Sequence, residues 1–180
     1  QAPHAAPYGF ALSRLRPDWS VRILCSTEAE AAFAADIGSL YPGHAARIEM
    51  LRTPLHARLV DPLARHFAFY RKRAVLKGNV ETFAGLDALL TPELTSLSLK
   101  DEPTLSRLRI VHTGHGMADP FGRGFGALDP RSDRADLLLL PSRRIAKLSL
   151  ERGRLRRPAW GVSGYPKFEL AQGPRPQLFE

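Results

Sequence analysis

The stretch ADLLLLPSRRIAKLSLER, residues 135–152, decides the fold class. Its first part, Ala135–Leu140, is a continuous apolar run of strand length, as expected for a central strand of a parallel sheet. A Pro-Ser pair then begins a basic helix, Arg143–Arg152. A further strand candidate, Ala159–Ser163, follows that helix. A strand, a helix and a second strand in this order predict parallel pairing.

The same alternation extends along the whole chain. The other predicted strands are Val21–Ser26, Arg47–Leu51, Leu86–Leu90 and Leu108–His112. The other predicted helices are Tyr8–Arg16, Glu28–Ile37 capped by Ser26 or Thr27, Leu55–Val75, and a short one through Lys100. We therefore expect an α/β protein with one Rossmann-like parallel sheet and helices on both faces. Its ligand site should lie outside the carboxyl ends of the strands.

The length of 180 residues suits one domain, which we place at residues 1–172. Residues 173–180 begin with the Gly/Pro-rich sequence GPRP, which is typical of a linker. The chain also begins at Gln1. We therefore expect a fragment of a longer protein, with a further domain after residue 180.

The net charge of +8 and the isoelectric point of about 10.2 predict an anionic partner. A nucleotide, a phosphate-rich polymer and a membrane surface all fit, whereas nucleic acid is disfavoured because no recognised motif accompanies the charge. The amphipathic segment Leu55–Val75 carries many of the basic residues on one side. A core helix with a solvated face is the favoured interpretation, and attraction to an anionic membrane or polymer is the alternative.

Cys25 is the only cysteine, so the chain forms no internal disulfide. Because it lies in an apolar strand candidate, we expect a buried thiol. The sequence has no apolar run long enough to span a bilayer. We expect a cytoplasmic location. The basic helix also suggests peripheral contact with the inner face of the membrane.

The most informative local feature is the turn HTGHGMAD, residues 112–119, which follows a predicted strand. Gly114 and Gly116 allow a positive φ or close approach of a ligand. His115 lies between them, and a neutral imidazole at the edge of a cleft suits a general base that activates a hydroxyl. The alternative is a tight turn with a structural histidine.

Three further residues are candidates at this edge. Asp119 would orient His115 or take over the role of the base, and Glu93 is a second carboxylate after a strand. Glu93 is equally well explained as part of a surface turn or as a helix cap. Arg123, in the glycine-rich segment 122–126, would hold a phosphate, although a plain surface loop is the more common outcome.

The sequence predicts neither a metal nor a cofactor. His112 and His115 are three residues apart in an extended turn rather than on a helix, and no HExxH pattern occurs. The segment 122–126 has the wrong glycine spacing for a dinucleotide fingerprint, and there is no Walker A sequence and no GxSxG elbow.

Five segments together resemble the CDP-glycerol glycerophosphotransferase family. They are TPELTSL at 91–97, VHTGHG at 111–116, Asp119, DLLLLP at 136–141 and VSGYPKF at 162–168. The similarity covers residues 85–170 well and the N-terminal part weakly. The resemblance implies the GT-B architecture, in which two Rossmann-like domains face each other across a cleft. This chain would be the N-terminal, acceptor-side half, and the nucleotide would bind mainly to the second domain.

The resemblance also implies an activity: transfer of glycerol phosphate from CDP-glycerol to an acceptor hydroxyl, as in the synthesis of teichoic-acid-like polymers of the cell envelope. His115 matches the histidine proposed as the base in that family. The predicted substrate-binding residues are His112, Thr113, Gly114, Gly116, Arg123, Tyr165 and Lys167. Without its second domain the chain should be inactive. The alternatives are a nucleotide-sugar glycosyltransferase or 2-epimerase of the same architecture, and a non-catalytic basic module that binds an anionic polymer or membrane.

Overall fold

A computed structural model describes residues 2–55, 57, 68–113, 130–151 and 159–166. The chain divides into two compact units, one made of Gln1–Asn79 with Pro166–Glu180 and the other of Val80–Tyr165. We call them unit 1 and unit 2 and describe each by itself.

Unit 1 is built around two parallel strands. Its described elements are α1 (Ala2–Leu15), β1 (Arg22–Cys25), α2 (Glu28–Ser39), β2 (Arg47–Met50) and α3 (Ala68–Lys77). β1 and β2 pair in parallel, with Cys25 opposite Met50 at their carboxyl ends. Ala6 and Phe10 of α1 pack with Ile37 of α2 in a buried apolar cluster. Cys25 is buried, as predicted.

The start of α2 follows from its sequence. Thr27 is the cap, because its hydroxyl accepts a hydrogen bond from the Glu30 N–H at 3.1 Å. The Glu30 carboxylate reaches back to the Ser26 N–H at 2.8 Å and the Ser26 hydroxyl at 2.7 Å. Of the two predicted caps, Thr27 is therefore the confirmed one.

Unit 2 contains a four-stranded sheet. Its helices and strands are α4 (Val80–Ala84), β3 (Ala88–Thr91), β4 (Arg109–His112), β5 (Leu137–Leu140), α5 (Arg143–Glu151) and β6 (Ala159–Val162), with 3₁₀ helices at Leu94–Asp101, Pro103–Leu105 and Pro130–Arg134. The strand order is β3-β4-β5-β6, and each neighbouring pair is parallel.

One face of this sheet forms the core of unit 2. Alternate residues of the two central strands are buried, namely Ile110 and His112 in β4 and Leu138 and Leu140 in β5. We call this the buried face. Ala146 of α5 is also buried, and α5 packs against β5. Among these four buried residues of β4 and β5, His112 is the polar one.

The structure confirms an α/β fold with parallel strands and helices, consistent with a Rossmann-like fold. The expectation of one sheet is wrong for the described strands, because β1 and β2 form a sheet separate from the four strands of unit 2. Alternation of strands and helices predicts parallel pairing, but it does not determine which strands become neighbours. The predicted helix 55–75 is described as α3 only from Ala68, and the short helix through Lys100 is a 3₁₀ helix.

The predicted domain bounds, 1–172 with a linker at 173–180, stay a prediction. The linker residues lie outside the part of the chain that the structure describes.

Candidate functional site

The carboxyl edge of the unit 2 sheet is stepped. Thr91, His112 and Leu138 lie side by side in one row across β3, β4 and β5. β5 and β6 continue for two more residues, to Leu140 and Val162, which are opposite each other. Two residues of strand correspond to roughly 7 Å, so β3 and β4 end about that distance short of the longer pair.

His112 occupies the buried face at the end of β4 and is only 7% exposed. Its Nδ1 lies 3.1 Å from the Thr91 carbonyl oxygen. Because a carbonyl oxygen can only accept, the proton of this hydrogen bond belongs to Nδ1. In the neutral imidazole, Nε2 then carries the lone pair.

Thr91 connects three groups at this position. Its carbonyl oxygen also accepts from the Thr113 N–H at 3.1 Å. Its hydroxyl donates to the Ser96 hydroxyl at 3.1 Å and accepts from the Glu93 N–H at 3.1 Å. Thr91 and Ser96 are both buried, which agrees with the rule that buried polar groups are hydrogen-bonded. We call Thr91, Ser96 and His112 the threonine cluster.

Glu93 lies where the chain leaves β3, at the cap position of the 3₁₀ helix Leu94–Asp101. Glu93 is thus the cap residue by position, although its side chain makes no capping hydrogen bond to that helix. Glu93 is half-buried. Glu93 follows β3 and Thr113 follows the neighbouring strand β4, so the structure brings these two predicted residues to the same part of the edge.

Tyr165 follows β6 after Ser163 and Gly164, whose φ of +77° favours glycine. It is half-buried, and burial raises the pKa of its phenol. β5 lies between β4 and β6. Two strand spacings amount to roughly 10 Å, so β6, the strand that Tyr165 follows, is not adjacent to β4.

The remaining predicted site residues lie outside the described part of the chain. They are Gly114, His115, Gly116, Asp119, Arg123 and Lys167. The structure describes the chain up to Thr113, where the histidine-glycine turn begins.

The β5 side of the edge carries positive charge. Arg143 and Arg144 are exposed in the first turn of α5, directly after the carboxyl end of β5. The Ser142 hydroxyl accepts from the Ile145 N–H at 3.2 Å and so caps this turn. Two guanidinium groups beside a helix N-terminus favour an anionic group over a neutral one.

Metal binding and membrane spanning find no support in the described residues. Within those ranges, no three histidine, cysteine or carboxylate side chains come together as a metal site would need. No helix in the described part of the chain has the length and apolar character to cross a bilayer.

Sequence reasoning missed Thr91 and Ser96 as members of the site. A usable signal was present, because Thr91 is the last residue of a strand and a second hydroxyl, Ser96, follows five residues later. A side chain at a strand end commonly bonds the backbone of the turn that follows.

Comparison of the chain with protein-family models, curated proteins and solved structures finds no match.

Proposed function

We propose that this chain is the acceptor-side domain of a transferase that moves glycerol phosphate from CDP-glycerol to an acceptor hydroxyl in the synthesis of a cell-envelope polymer. The observation that carries the proposal is the point at which the sequence HTGHGMAD, residues 112–119, leaves the sheet. His112 is the last residue of β4, a central strand of a parallel sheet, and Thr113 follows it. Ligands of open α/β sheets bind outside such ends.

The proposed chemistry is a phosphoryl-type transfer. His115 takes the proton of the acceptor hydroxyl, and the acceptor oxygen forms a bond to the phosphorus that carries glycerol. The bond from that phosphorus to the bridging oxygen breaks, and CMP leaves with the electron pair. Asp119 or Glu93 orients His115 or replaces it as the base. Thr113, Gly114 and Gly116 shape the acceptor site.

The donor phosphates are negatively charged, so the proposed site also needs basic residues that can bind them. Exposed Arg143 and Arg144 support a site for an anionic substrate at this edge. Arg123 and Lys167 are proposed to contact donor phosphates, and the resemblance places nucleotide recognition in a second domain. No cofactor takes part.

The test is a donor assay on the full-length protein. Purified enzyme is incubated with a polyol-phosphate acceptor and either CDP-glycerol or a UDP-sugar, and the released nucleotide is separated by ion-exchange chromatography. Release of CMP only in the presence of acceptor supports the proposal. Release of UDP from a UDP-sugar, with none of CMP, would assign the chain instead to the glycosyltransferases or 2-epimerases.

A second candidate function is peripheral binding to an anionic surface. On α3, Arg73 and Lys77 are exposed while Ala74 and Val75 are buried, so one helix serves both as core and as a basic surface. This arrangement favours weak, salt-sensitive attraction to anionic lipid.

Co-sedimentation of this chain with phosphatidylglycerol vesicles tests the second function. Charge reversal at Arg71, Lys72 and Arg73 should reduce binding in low salt, whereas reversal at Arg143 and Arg144 is the matched control on another helix. Equal binding by the wild-type chain and the α3 variant would remove α3 as an anchor and leave it as a core helix.

A further inference from the structure

The amino edge of the unit 1 sheet exposes two large apolar side chains. Leu15, the last residue of α1, is 76% exposed, and Trp19, in the turn that leads to β1, is 49% exposed. Every residue from Arg14 to Ser20 is exposed. Single exposed apolar residues are common, but a leucine and a tryptophan on one exposed turn indicate an interaction surface more often than either does alone.

The turn that carries Trp19 is fixed by hydrogen bonds. The Arg16 N–H donates to the Leu12 carbonyl at 2.8 Å, and the Trp19 N–H donates to the Arg16 carbonyl at 2.9 Å. The Arg16 guanidinium donates to both oxygens of Asp18, at 3.0 and 2.7 Å, and its central carbon lies 4.5 Å from the centre of the Trp19 ring. Trp19 is therefore held close to the end of α1 while about half of its surface remains exposed.

Two exposed arginines lie at the same edge and form no ion pair among the described residues. Arg14 is in the last turn of α1, and Arg47 begins β2. The Ala45 N–H donates to the Ser13 hydroxyl at 2.7 Å, and the Arg47 N–H donates to the Val21 carbonyl at 3.0 Å. These bonds tie the start of β2 to α1 and β1. We call the following residues the α1 patch: Arg14, Leu15, Trp19 and Arg47.

We propose that the α1 patch binds an anionic lipid bilayer, with Leu15 and Trp19 entering the interfacial layer and the two arginines attracted to the lipid phosphates. Charge complementarity and apolar exposure together select this occupant. Indole rings favour the level of the lipid headgroups, and basic residues are attracted to a negatively charged leaflet. A polyanion in water would attract the arginines but would offer the two apolar side chains no surface on which to be buried.

This surface differs in kind from the basic surface of α3, for which only an electrostatic attraction is proposed. Salt screens the attraction between exposed charges, whereas it does not weaken the burial of apolar side chains. Binding through the α1 patch should therefore keep a component that persists in high salt. The proposal is also independent of the transferase activity, because it needs only this chain and lipid.

The first experiment uses the two tryptophans of the chain as reporters. Trp160→Phe leaves Trp19 as the only indole, and Trp19→Phe leaves Trp160, which is 41% exposed in unit 2, as the matched control. Each variant is mixed with phosphatidylglycerol vesicles whose acyl chains carry bromine, which quenches indoles inside the bilayer. We expect Trp19 emission to shift to shorter wavelength and to be quenched, and Trp160 emission to change little. An unquenched Trp19, or equal quenching of both indoles, would overturn the proposal.

The second experiment measures co-sedimentation of the 180-residue chain with phosphatidylglycerol vesicles in high salt. Leu15→Gln should lower the partition coefficient about tenfold, because it removes an apolar side chain from the interface. Leu55→Gln is the matched control, since Leu55 is 75% exposed in the same unit but lies outside the patch. Equal partition coefficients for these two variants would contradict insertion of Leu15.

The same assay in low salt tests the arginines. Arg14→Gln and Arg47→Gln should each lower the partition coefficient about fivefold, and Arg107→Gln, at an exposed position in unit 2, should change it less. Equal losses at all three positions would mean that net charge alone attracts the chain, and the α1 patch would be ruled out. If only charge reversal on α3 lowers binding, the second candidate function stands and the α1 patch fails. If only the patch variants lower it, the α1 patch stands and α3 is a core helix.

Discussion

Lys100 and Asp136 form an ion pair in unit 2 although they are 36 residues apart, with Nζ 2.5 Å from Oδ2. The same carboxylate oxygen accepts from the Ile110 N–H at 2.7 Å, and Lys100 also donates to the Leu108 carbonyl at 2.8 Å. This pair therefore joins the 3₁₀ helix Leu94–Asp101 to the amino ends of β4 and β5. The opposite, carboxyl edge is the one that carries the candidate site.

Replacing Asp136 by Asn should destabilise unit 2 by about 1–3 kcal/mol, because hydrogen bonds to a charged group are among the stronger ones. Both ion-pair side chains are at most about a quarter exposed, so solvent screens the pair only in part. The measurement is urea unfolding followed by Trp160 fluorescence in a Trp19→Phe background. Asp133→Asn, at an exposed position, is the control and should change stability by less than about 0.5 kcal/mol.

The pH dependence of the same variant has a definite sign. Burial would raise the pKa of Asp136, but hydrogen bonds from Lys100, the Ile110 N–H and Arg109 outweigh burial and lower it. A carboxyl with a lowered folded-state pKa contributes stability above its unfolded value of about 3.9 and loses it as the pH falls through the folded value. Wild type should therefore lose more stability than Asp136→Asn between neutral pH and acid. Parallel stability–pH curves would contradict this assignment.

In unit 1, Thr27→Ala should cost about 1 kcal/mol, the usual value for loss of a helix cap. The lost bond is the one from the Glu30 N–H to the Thr27 hydroxyl. Glu28→Gln is the control, since it removes only a charge from the same turn and should cost a few tenths of a kcal/mol. Trp19 fluorescence in a Trp160→Phe background reports the unfolding. A cost for Glu28→Gln as large as that for Thr27→Ala would mean that charge, not capping, stabilises α2.

Asn79, the only asparagine, is buried and bonds two segments of unit 1. Its Oδ1 accepts from the Arg52 N–H at 2.9 Å, and its Nδ2 donates to the carbonyls of Arg52 at 2.8 Å and Val75 at 2.7 Å. Asn79→Ala should cost about 2–4 kcal/mol, because it removes all three hydrogen bonds of this buried side chain. Asn79→Asp should cost at least as much, since a carboxylate cannot donate to the two carbonyls. Hydrogen exchange at the Arg52 amide should accelerate in both variants, and unchanged exchange would argue against this link.

Much of the fold is readable from the sequence because strand and helix bounds depend on local patterns. The apolar runs that predict β4 and β5 end within a few residues of the observed strands, and the cap at Thr27 follows from a hydroxyl placed three residues before Glu30. Strand order is different, because it depends on contacts between distant segments. The separation of β1 and β2 from the other sheet therefore could not be derived from periodicity.

The candidate site was likewise predictable where it depends on local sequence patterns, and not where it depends on contacts between distant segments. Glu93, Thr113 and Tyr165 lie at strand ends as expected, since the end of a strand is a local property. The distance of Tyr165 from β4 depends on strand order and was not readable. The burial of His112 was not readable either, because it depends on which face of the sheet the helices cover.

The last prediction concerns His115, the proposed base. In the full-length protein, His115→Ala should lower kcat far more than it raises KM, and loss of a general base typically costs about 10²–10⁴-fold in rate. The proposed role puts His115 at the edge of a cleft, where a side chain contributes little packing, so the urea midpoint of the variant should equal that of wild type. His112→Ala should differ in kind, because loss of a buried, hydrogen-bonded ring lowers stability as well as rate.

Turnover of His115→Ala near that of wild type, at saturating donor and acceptor, would remove His115 from the mechanism. The role of the base would then pass to Asp119 or Glu93, and single Asn and Gln substitutions at these two positions would identify which one.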